Sequence, residues 1–273
     1  MQCGVCGAEA SVFTVIDQFE YGDCTACGSL AVDARVIAEI DGGKALRSYD
    51  TDYWRSELAA ARERAYGAGL ARVAEAVLYT SRPIEKFIDI GCGPGYLLDA
   101  LAAYLPARSL FYGVERFPPP DHTRHQNYRV GGLSDLDFMC DSGVCIEVLE
   151  HLTPRMAGHL ASDLAARSRP GALYLFNTGM PQFVKSEDPG YLDPVGRGHI
   201  VSWGEAALRN LFEPLGFRVH RARSWAFAVE FQPFDDRALA DRIWNSPNAS
   251  MLRDPVMGDL MFLVGRESAR VYA

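Results

Sequence analysis

A chain of 273 residues with 48% hydrophobic content can bury a full core and a small additional module. Its 27 Lys and Arg stand against 35 Asp and Glu, a formal charge of −8, so a polyanion such as nucleic acid is not the expected partner. No run of about eighteen apolar residues and no basic-then-apolar leader occurs, which predicts neither a membrane span nor secretion and makes the cytoplasm the expected compartment.

Residues 1–48 read as a cysteine module. Cys3-Gly-Val-Cys6 and Cys24-Thr-Ala-Cys27 are two C-x2-C pairs separated by seventeen residues, each running into a glycine, Gly7 and Gly28. Two such knuckles can offer four thiolates to a closed tetrahedral site, a structural zinc ribbon. Two disulfides are the other use of four cysteines, and a reducing compartment disfavours them. Arg35, Lys44 and Arg47 face Glu9, Asp17, Glu20, Asp23, Asp33, Glu39 and Asp41 in this module. That balance repels a polyanion and suits a protein or small-molecule contact, or plain stabilisation of the N-terminus.

Residues 49–80 read as a helical connector, because Leu58, Ala61, Ala65, Leu70, Val73 and Val77 recur at helical spacing. Tyr49, Tyr53 and Trp54 open it. They either line a cofactor pocket or staple the ribbon to the next domain.

Residues 86–100 carry the strongest signal. An apolar strand ends at Asp89, then come Gly91, Gly93, Gly95 and Tyr96, then an amphipathic helix start. Glycines at a strand-to-helix turn let backbone amides approach a ligand, and the helix N-terminus adds its positive dipole end. A dinucleotide turn needs Gly-x-Gly-x-x-Gly, and Tyr96 occupies the place of that third glycine. The next strand, Leu110 to Glu115, ends in an acid about twenty residues on, the spacing of a ribose-binding carboxylate. Further strands are predicted at 86–90, 110–115, 127–131, 142–147, 171–177, 216–222 and 260–265, and helices at 95–105, 153–168 and 203–215. This alternation predicts an α/β fold with a doubly wound, mostly parallel sheet over residues 81–273, interrupted by an insertion at about 224–258. Cys92, Cys140 and Cys145 lie in or beside these strands and are expected to be buried, not nucleophilic.

Gly-x-Gly-x-Gly preceded by Asp89, with Glu115 in register, resembles the first motifs of class I S-adenosylmethionine methyltransferases. The resemblance implies a Rossmann-like seven-stranded sheet and S-adenosylmethionine as cofactor. Asp89 would lie near its methionine moiety, the glycines and Tyr96 around it, and Glu115 with Arg116 at its ribose. The usual acid of the adenine-contacting loop is absent, since Gly131-Gly132-Leu133 stands there.

The chemistry is expected at Glu147, Glu150 and His151, which follow a strand at the ligand-binding edge of the sheet. Glu-x-x-Glu-His resembles ubiquinone-pathway O-methyltransferases and small-RNA 2′-O-methyltransferases, where matching residues and a later histidine hold a divalent cation. His199, in Gly198-His-Ile-Val-Ser-Trp203, is such a histidine. The alternatives are His151 as general base or as a helix cap, with Glu147 near the cofactor. The whole arrangement also resembles bacterial methyltransferases of polysaccharide and deoxysugar pathways. No Asn-Pro-Pro-Tyr occurs, which disfavours amino methylation of nucleobases.

Three loops are candidates for acceptor specificity: Phe117 to His125, Met180 to Arg197, and Ser224 to Gly258 with Trp225, Phe227, Phe231, Phe234 and Trp244. Those last aromatics could cap an acceptor pocket, fill a local core or bury a homodimer interface. The resulting expectation is O-methylation of a small-molecule or glycan acceptor. RNA methylation and a non-catalytic cofactor-binding scaffold are the alternatives.

Overall fold

A computed structural model describes residues 1–273 except 49, 106–107, 224–225, 254–260 and 267–273. The aromatics Tyr49 and Trp225 therefore lie outside the described residues.

The N-terminal module forms strands β1 (Ser11–Ile16), β2 (Phe19–Asp23) and β3 (Leu30–Val32) and helix α1 (Ala34–Asp41). The connector is helical, with α2 (Thr51–Arg64), a π-helical turn over Ala65–Gly69 and α3 (Leu70–Tyr79). Asp50 caps α2 by accepting from the amides of Asp52 and Tyr53. The larger unit then alternates: β4 (Phe87–Ile90), α4 (Tyr96–Tyr104), β5 (Phe111–Glu115), β6 (Tyr128–Val130), β7 (Cys140–Ile146), α5 (Pro154–Ala166), β8 (Ser168–Asn177) and α6 (Pro181–Ser186). It ends with β9 (Val201–Ser202), α7 (Glu205–Phe212), β10 (Phe217–Arg223), β11 (Ala226–Phe231) and α8 (Leu239–Arg242).

Seven strands form one sheet in the order β10-β11-β8-β7-β4-β5-β6. The pairs from β8 to β6 are parallel, and β11 runs antiparallel to both neighbours. This is the Rossmann-like sheet expected from the sequence. Its order reverses at β4, so the ends of β4, β5 and β7 open onto one crevice.

Two sequence expectations are corrected. Among the described residues the last strand is β11 at 226–231, and the strand expected at 260–265 is not formed, because residues 261–266 are helical. A continuous apolar run such as Met261-Phe-Leu-Val reads equally as strand or buried helix. Consequently no insertion of the length expected at 224–258 separates the two strands, since β10 pairs antiparallel with β11 from Arg223 and Ala226 onward.

The cysteine module is not an appendage. β9 pairs antiparallel with β3 and completes a four-stranded sheet, β1-β2-β3-β9. A single apolar cluster runs from Cys24, Leu30 and Val32 through Val201 and Trp203 to Phe176 and Ile88. Asp41, closing α1, accepts from Thr153 Oγ1 at 2.7 Å and pairs with Arg155 at 3.2 Å, docking the module on the start of α5.

Candidate active site

The four N-terminal cysteines form a cluster with the geometry to hold a metal ion. Cys3, Cys6, Cys24 and Cys27 are free thiols whose sulfurs all lie within 4.8 Å of one another. The Cys3–Cys27 and Cys6–Cys24 separations are 3.7 and 3.5 Å. A tetrahedron with zinc–sulfur bonds of about 2.3 Å places sulfurs about 3.8 Å apart. Gly7 and Gly28, both at positive φ, close the two knuckles by donating to Cys3 O and Cys24 O. The residues present fit zinc. Cys92, Cys140 and Cys145 are buried as expected, and burial raises each thiol.

A cavity of about 690 Å³ opens at the reversal of strand order, within the range of roughly 300–1,000 Å³ for small-molecule sites. Asp89, Gly91, Gly93, Tyr96, Glu115, Arg116, Glu147 and His151 all line it. Gly91, Gly93 and Gly95 adopt φ of +70°, +51° and +79°, left-handed values that other residues avoid. A Cβ on Gly91 would stand 2.5 Å from Val148 Cγ2, so glycine there lets the loop after β4 lie against the loop after β7. A Cβ on Gly93 would lie 3.5 Å from the Trp54 ring. Trp54 and Tyr53 therefore lie over the glycine loop and line the cavity, while Arg47 of the cysteine module packs on the Tyr53 ring, so the two uses considered for these aromatics coexist.

Glu115 holds the loop from β5. One carboxylate oxygen accepts from Gly93 N and the other from Phe117 N, both at 2.8 Å, and each keeps acceptor capacity for a diol. Asp89 is buried; burial first, and the Glu115 charge second, push it up to about 7. Arg116 pairs with Asp163 at 3.6 Å and packs over Gly132, where a Cβ would meet its guanidinium at 2.6 Å. Asp135 accepts from Gly132 N and shapes this loop.

At the other end of the cavity the β7 exit is bent. Glu147 adopts φ +54°, a strained value for a non-glycine residue, and Asn177 fixes it. The Glu147 amide donates to Asn177 O, and Asn177 Nδ2 donates to Glu147 Oε1, both at 2.9 Å. Burial and the nearby Glu150 push Glu147 up to about 8. Glu150 is fully buried; Tyr191 donates to its Oε1 at 2.9 Å, while its Oε2 meets no hydrogen-bond partner among the described residues. Burial raises it as well.

His151 and His199 cross edge to face, with ring centroids 4.8 Å apart. His199 Nδ1 contacts Tyr191 O at 2.7 Å and His151 Nδ1 contacts Gly198 O at 3.1 Å. A carbonyl can only accept, so each neutral ring carries its proton on Nδ1 and its lone pair on Nε2. Burial lowers both, His199 to about 3. Ligand atoms of Glu150, His151 and His199 lie within 4.8 Å of one another, and Glu147 does not join that group. Of these residues only Glu147 and His151 line the cavity; Glu150 and His199 stand behind them.

Tyr191, Asn177 and Arg47 were not anticipated. Only the Pro- and Gly-rich stretch leading into His199 pointed toward the first. Of the uses considered for the aromatics of the third loop, Phe227 takes that of core, and no residue of 226–253 lines the cavity. Pro194 places the second loop there, and Phe117 the first.

A sheet of this order, switching at a glycine-rich loop with an acid on each neighbouring strand, defines a class I S-adenosylmethionine-dependent methyltransferase. The family described as a methyltransferase domain matches residues 58–222, and the chain belongs to it. No curated protein matches the sequence. Among solved structures, the chain is similar to Streptomyces venezuelae DesVI, with 16% identity, 67% of this chain and 98% of that one covered, and a TM-score of 0.49. The magnesium protoporphyrin IX methyltransferase of Synechocystis PCC 6803 with bound SAH shows 19% identity over 66% and 97%, with a TM-score of 0.45. The mitomycin 7-O-methyltransferase MmcR shows 20% over 70% and 61%, with a TM-score of 0.44. No acceptor carries over from likenesses at this level. Among the described residues no helix is long and apolar enough to cross a membrane.

Proposed function

We propose that the chain methylates a hydroxyl of a small-molecule or glycan acceptor, with His151 as the group that takes the proton. The observation that carries this reading is that His151 and Glu147 share one cavity with the glycine loop, Asp89 and Glu115. Asp89 and the loop would hold the methionine end of S-adenosylmethionine, Glu115 its ribose and Arg116 with Asp163 its outer edge. The cofactor supplies an activated sulfonium methyl, so the protein's own tasks are alignment, deprotonation and exclusion of water. His151 is neutral near pH 7 because burial disfavours its cation, and its Nε2 lone pair is the proton acceptor. Trp54 and Tyr53 shut the glycine loop from solvent. The cysteine cluster would hold zinc and stiffen the wall that carries His199.

A second reading has its own observation. Glu150 Oε2 meets no hydrogen-bond partner among the described residues, and both imidazoles anchor Nδ1 on carbonyls, as metal-bound histidines do. Glu150, His151 and His199 would then hold manganese, iron or zinc, whose charge would acidify an acceptor hydroxyl.

Tritium transfer from labelled S-adenosylmethionine to nucleotide-sugars, phenols and short RNA tests the function. His151→Ala is expected to lower kcat by roughly 10²- to 10⁴-fold with S-adenosylhomocysteine still bound. Unchanged turnover in both His151→Ala and His199→Ala would refute the assignment. Metal analysis separates the readings: one zinc per chain and turnover indifferent to chelator support the base, whereas a second ion lost in Glu150→Gln supports the metal.

A further inference from the structure

The cavity is lined by four cationic side chains of Lys or Arg: Lys44, Arg47, Arg64 and Arg116. Three have a carboxylate partner, Lys44 with Glu39 at 2.6 Å, Arg64 with Glu57 at 3.3 Å and Arg116 with Asp163 at 3.6 Å. Arg47 has no carboxylate within ion-pair distance among the described residues. Yet it is held in place. Its guanidinium lies 4.4 Å from the centre of the Tyr53 ring, and Nη1 donates to Val195 O at 3.3 Å. Its Nε is closed off from solvent without a partner.

Fixing a half-buried guanidinium without a counter-charge leaves a donor unmade, which costs free energy unless a ligand completes it. Arg47 also lines the same cavity as His151, and its bond to Val195 O ties it to the segment that runs on to His199. The wall it joins, Pro194 and Gly198, is the one that leads into His199. A planar fork braced on an aromatic face matches carboxylate and phosphate geometry.

From this we infer that Arg47 seats an anionic group of the methyl acceptor, a carboxylate or a phosphate, while the acceptor hydroxyl lies at His151. The inference deepens the proposed methyl transfer and rests on it. It narrows the acceptor class to acidic molecules such as hydroxy acids, uronic-acid sugars or sugar phosphates.

The test is calorimetry on the full chain saturated with S-adenosylhomocysteine. The probes are 4-hydroxybenzoate, glucuronate and glucose 6-phosphate, with methyl 4-hydroxybenzoate as the neutral counterpart of the first and glucose as that of the other two. At least one acidic probe is expected to bind roughly tenfold or more tightly than its neutral counterpart. Arg47→Met should erase that preference, and Arg47→Lys should keep part of it. Preference for glucose 6-phosphate alone would assign a phosphorylated acceptor, and preference for a carboxylate probe a carboxylic one. Should no acidic probe be preferred by the wild-type complex, the inference falls. It falls also if Arg47→Met weakens S-adenosylhomocysteine itself tenfold, since the anion would then be the cofactor's own carboxylate. Failure of the wild-type chain to bind S-adenosylhomocysteine would instead overturn the methyl-transfer reading beneath it. Melting curves of Arg47→Lys and Arg47→Met exclude misfolding as the cause of either result.

Discussion

The Tyr21 hydroxyl donates a 2.6 Å hydrogen bond to the carbonyl of His199, a contact between residues 178 positions apart. Tyr21 lies on β2 of the cysteine module, and its ring is completely buried. On the other side of the same short segment, Ile200 N donates to Glu150 O and Trp203 Nε1 donates to Leu149 O. Val32 N donates to Ile200 O. The stretch from Gly198 to Trp203 is thus clamped between the ribbon sheet and the turn that presents Glu150 and His151. The sheet of the cysteine module and the turn that presents Glu150 and His151 are mechanically linked.

Loosening the ribbon should therefore reach the active site. Tyr21→Phe leaves a buried carbonyl without its donor, a loss of about 1–3 kcal/mol. The expected outcome is a lower melting temperature and a reduced kcat, with cofactor affinity little changed because the glycine loop belongs to another wall. Removing the metal by chelation should act in the same direction and more strongly, since binding free energy at such a site is folding free energy. Metal content, melting curves and single-turnover rates on one preparation check this. A metal-free chain with unaltered rate would break the proposed coupling.

Asp89 gives a pH dependence with a definite sign. In the ligand-free fold its carboxyl sits at about 7, against about 3.9 when unfolded. A group raised in this way keeps its proton in the folded chain after the unfolded chain has lost it. Its contribution to apo stability accordingly falls as pH rises from about 4 to about 7. Bound cationic charge favours the ionised form, so cofactor affinity should rise with pH toward about 7 and level off above it. Calorimetry in buffers of different ionisation enthalpy should record proton release near pH 6. Asp89→Asn should bind more weakly and with a flat profile over this window.

The glycine turn, Asp89 and Glu115 were legible in the sequence because their spacing is local and backbone-dictated. Strand β4 ends, the chain must turn through left-handed φ, and only glycine does so cheaply. The four cysteines were legible for the same reason, each pair being one tight knuckle. What stayed hidden depends on contacts with no local signature. The two residues of β9 carry no strand pattern, so their pairing with β3 could not be read. Arg47 looked like any surface arginine until Tyr53 and Val195 closed around it. Trp54 gave no sign of whether it faced ligand or ribbon. The misplaced last strand has a different cause: an apolar run without alternation fits two elements equally, and the pairing of β11 with β8 decides.

Gly91 offers a test of the loop itself. Alanine there would have to hold φ near +70° and bring a Cβ to 2.5 Å from Val148 Cγ2. Left-handed strain and overpacking are each worth about 1–3 kcal/mol. Gly91→Ala is expected to lower the melting temperature and weaken S-adenosylhomocysteine by tenfold or more. Adding Val148→Ala removes the clash and leaves only the backbone strain, so the double variant should recover part of both. If the second substitution recovers nothing, the closeness of these two loops is not what selects glycine.

On the far side of the sheet, away from the cavity, Arg242 and Glu230 form a pair in which each side chain is only 1% exposed. Arg242 donates from Nη1 and Nη2 to the two Glu230 oxygens at 2.7 and 3.0 Å, and His220 meets the same carboxylate at 3.0 Å. Burial alone would raise Glu230; the hydrogen bonds from His220 and Arg242 outweigh it and hold the carboxyl below its usual range. A carboxyl lowered in this way contributes stability that is full above its unfolded value of about 4.3 and is lost as pH falls through the folded one. Arg242→Met strands a buried carboxylate and is expected to cost about 3–5 kcal/mol at neutral pH. The same variant should lose less at pH 3–4, where the wild-type pair is itself failing. Replacing both partners, with Glu230→Leu and Arg242→Met, removes the uncompensated charge and should regain most of the loss. Denaturant melts at pH 7 and pH 4 measure all three. S-adenosylhomocysteine affinity in the folded fraction should stay at the wild-type value throughout, because no described residue of α8, β10 or β11 lines the cavity.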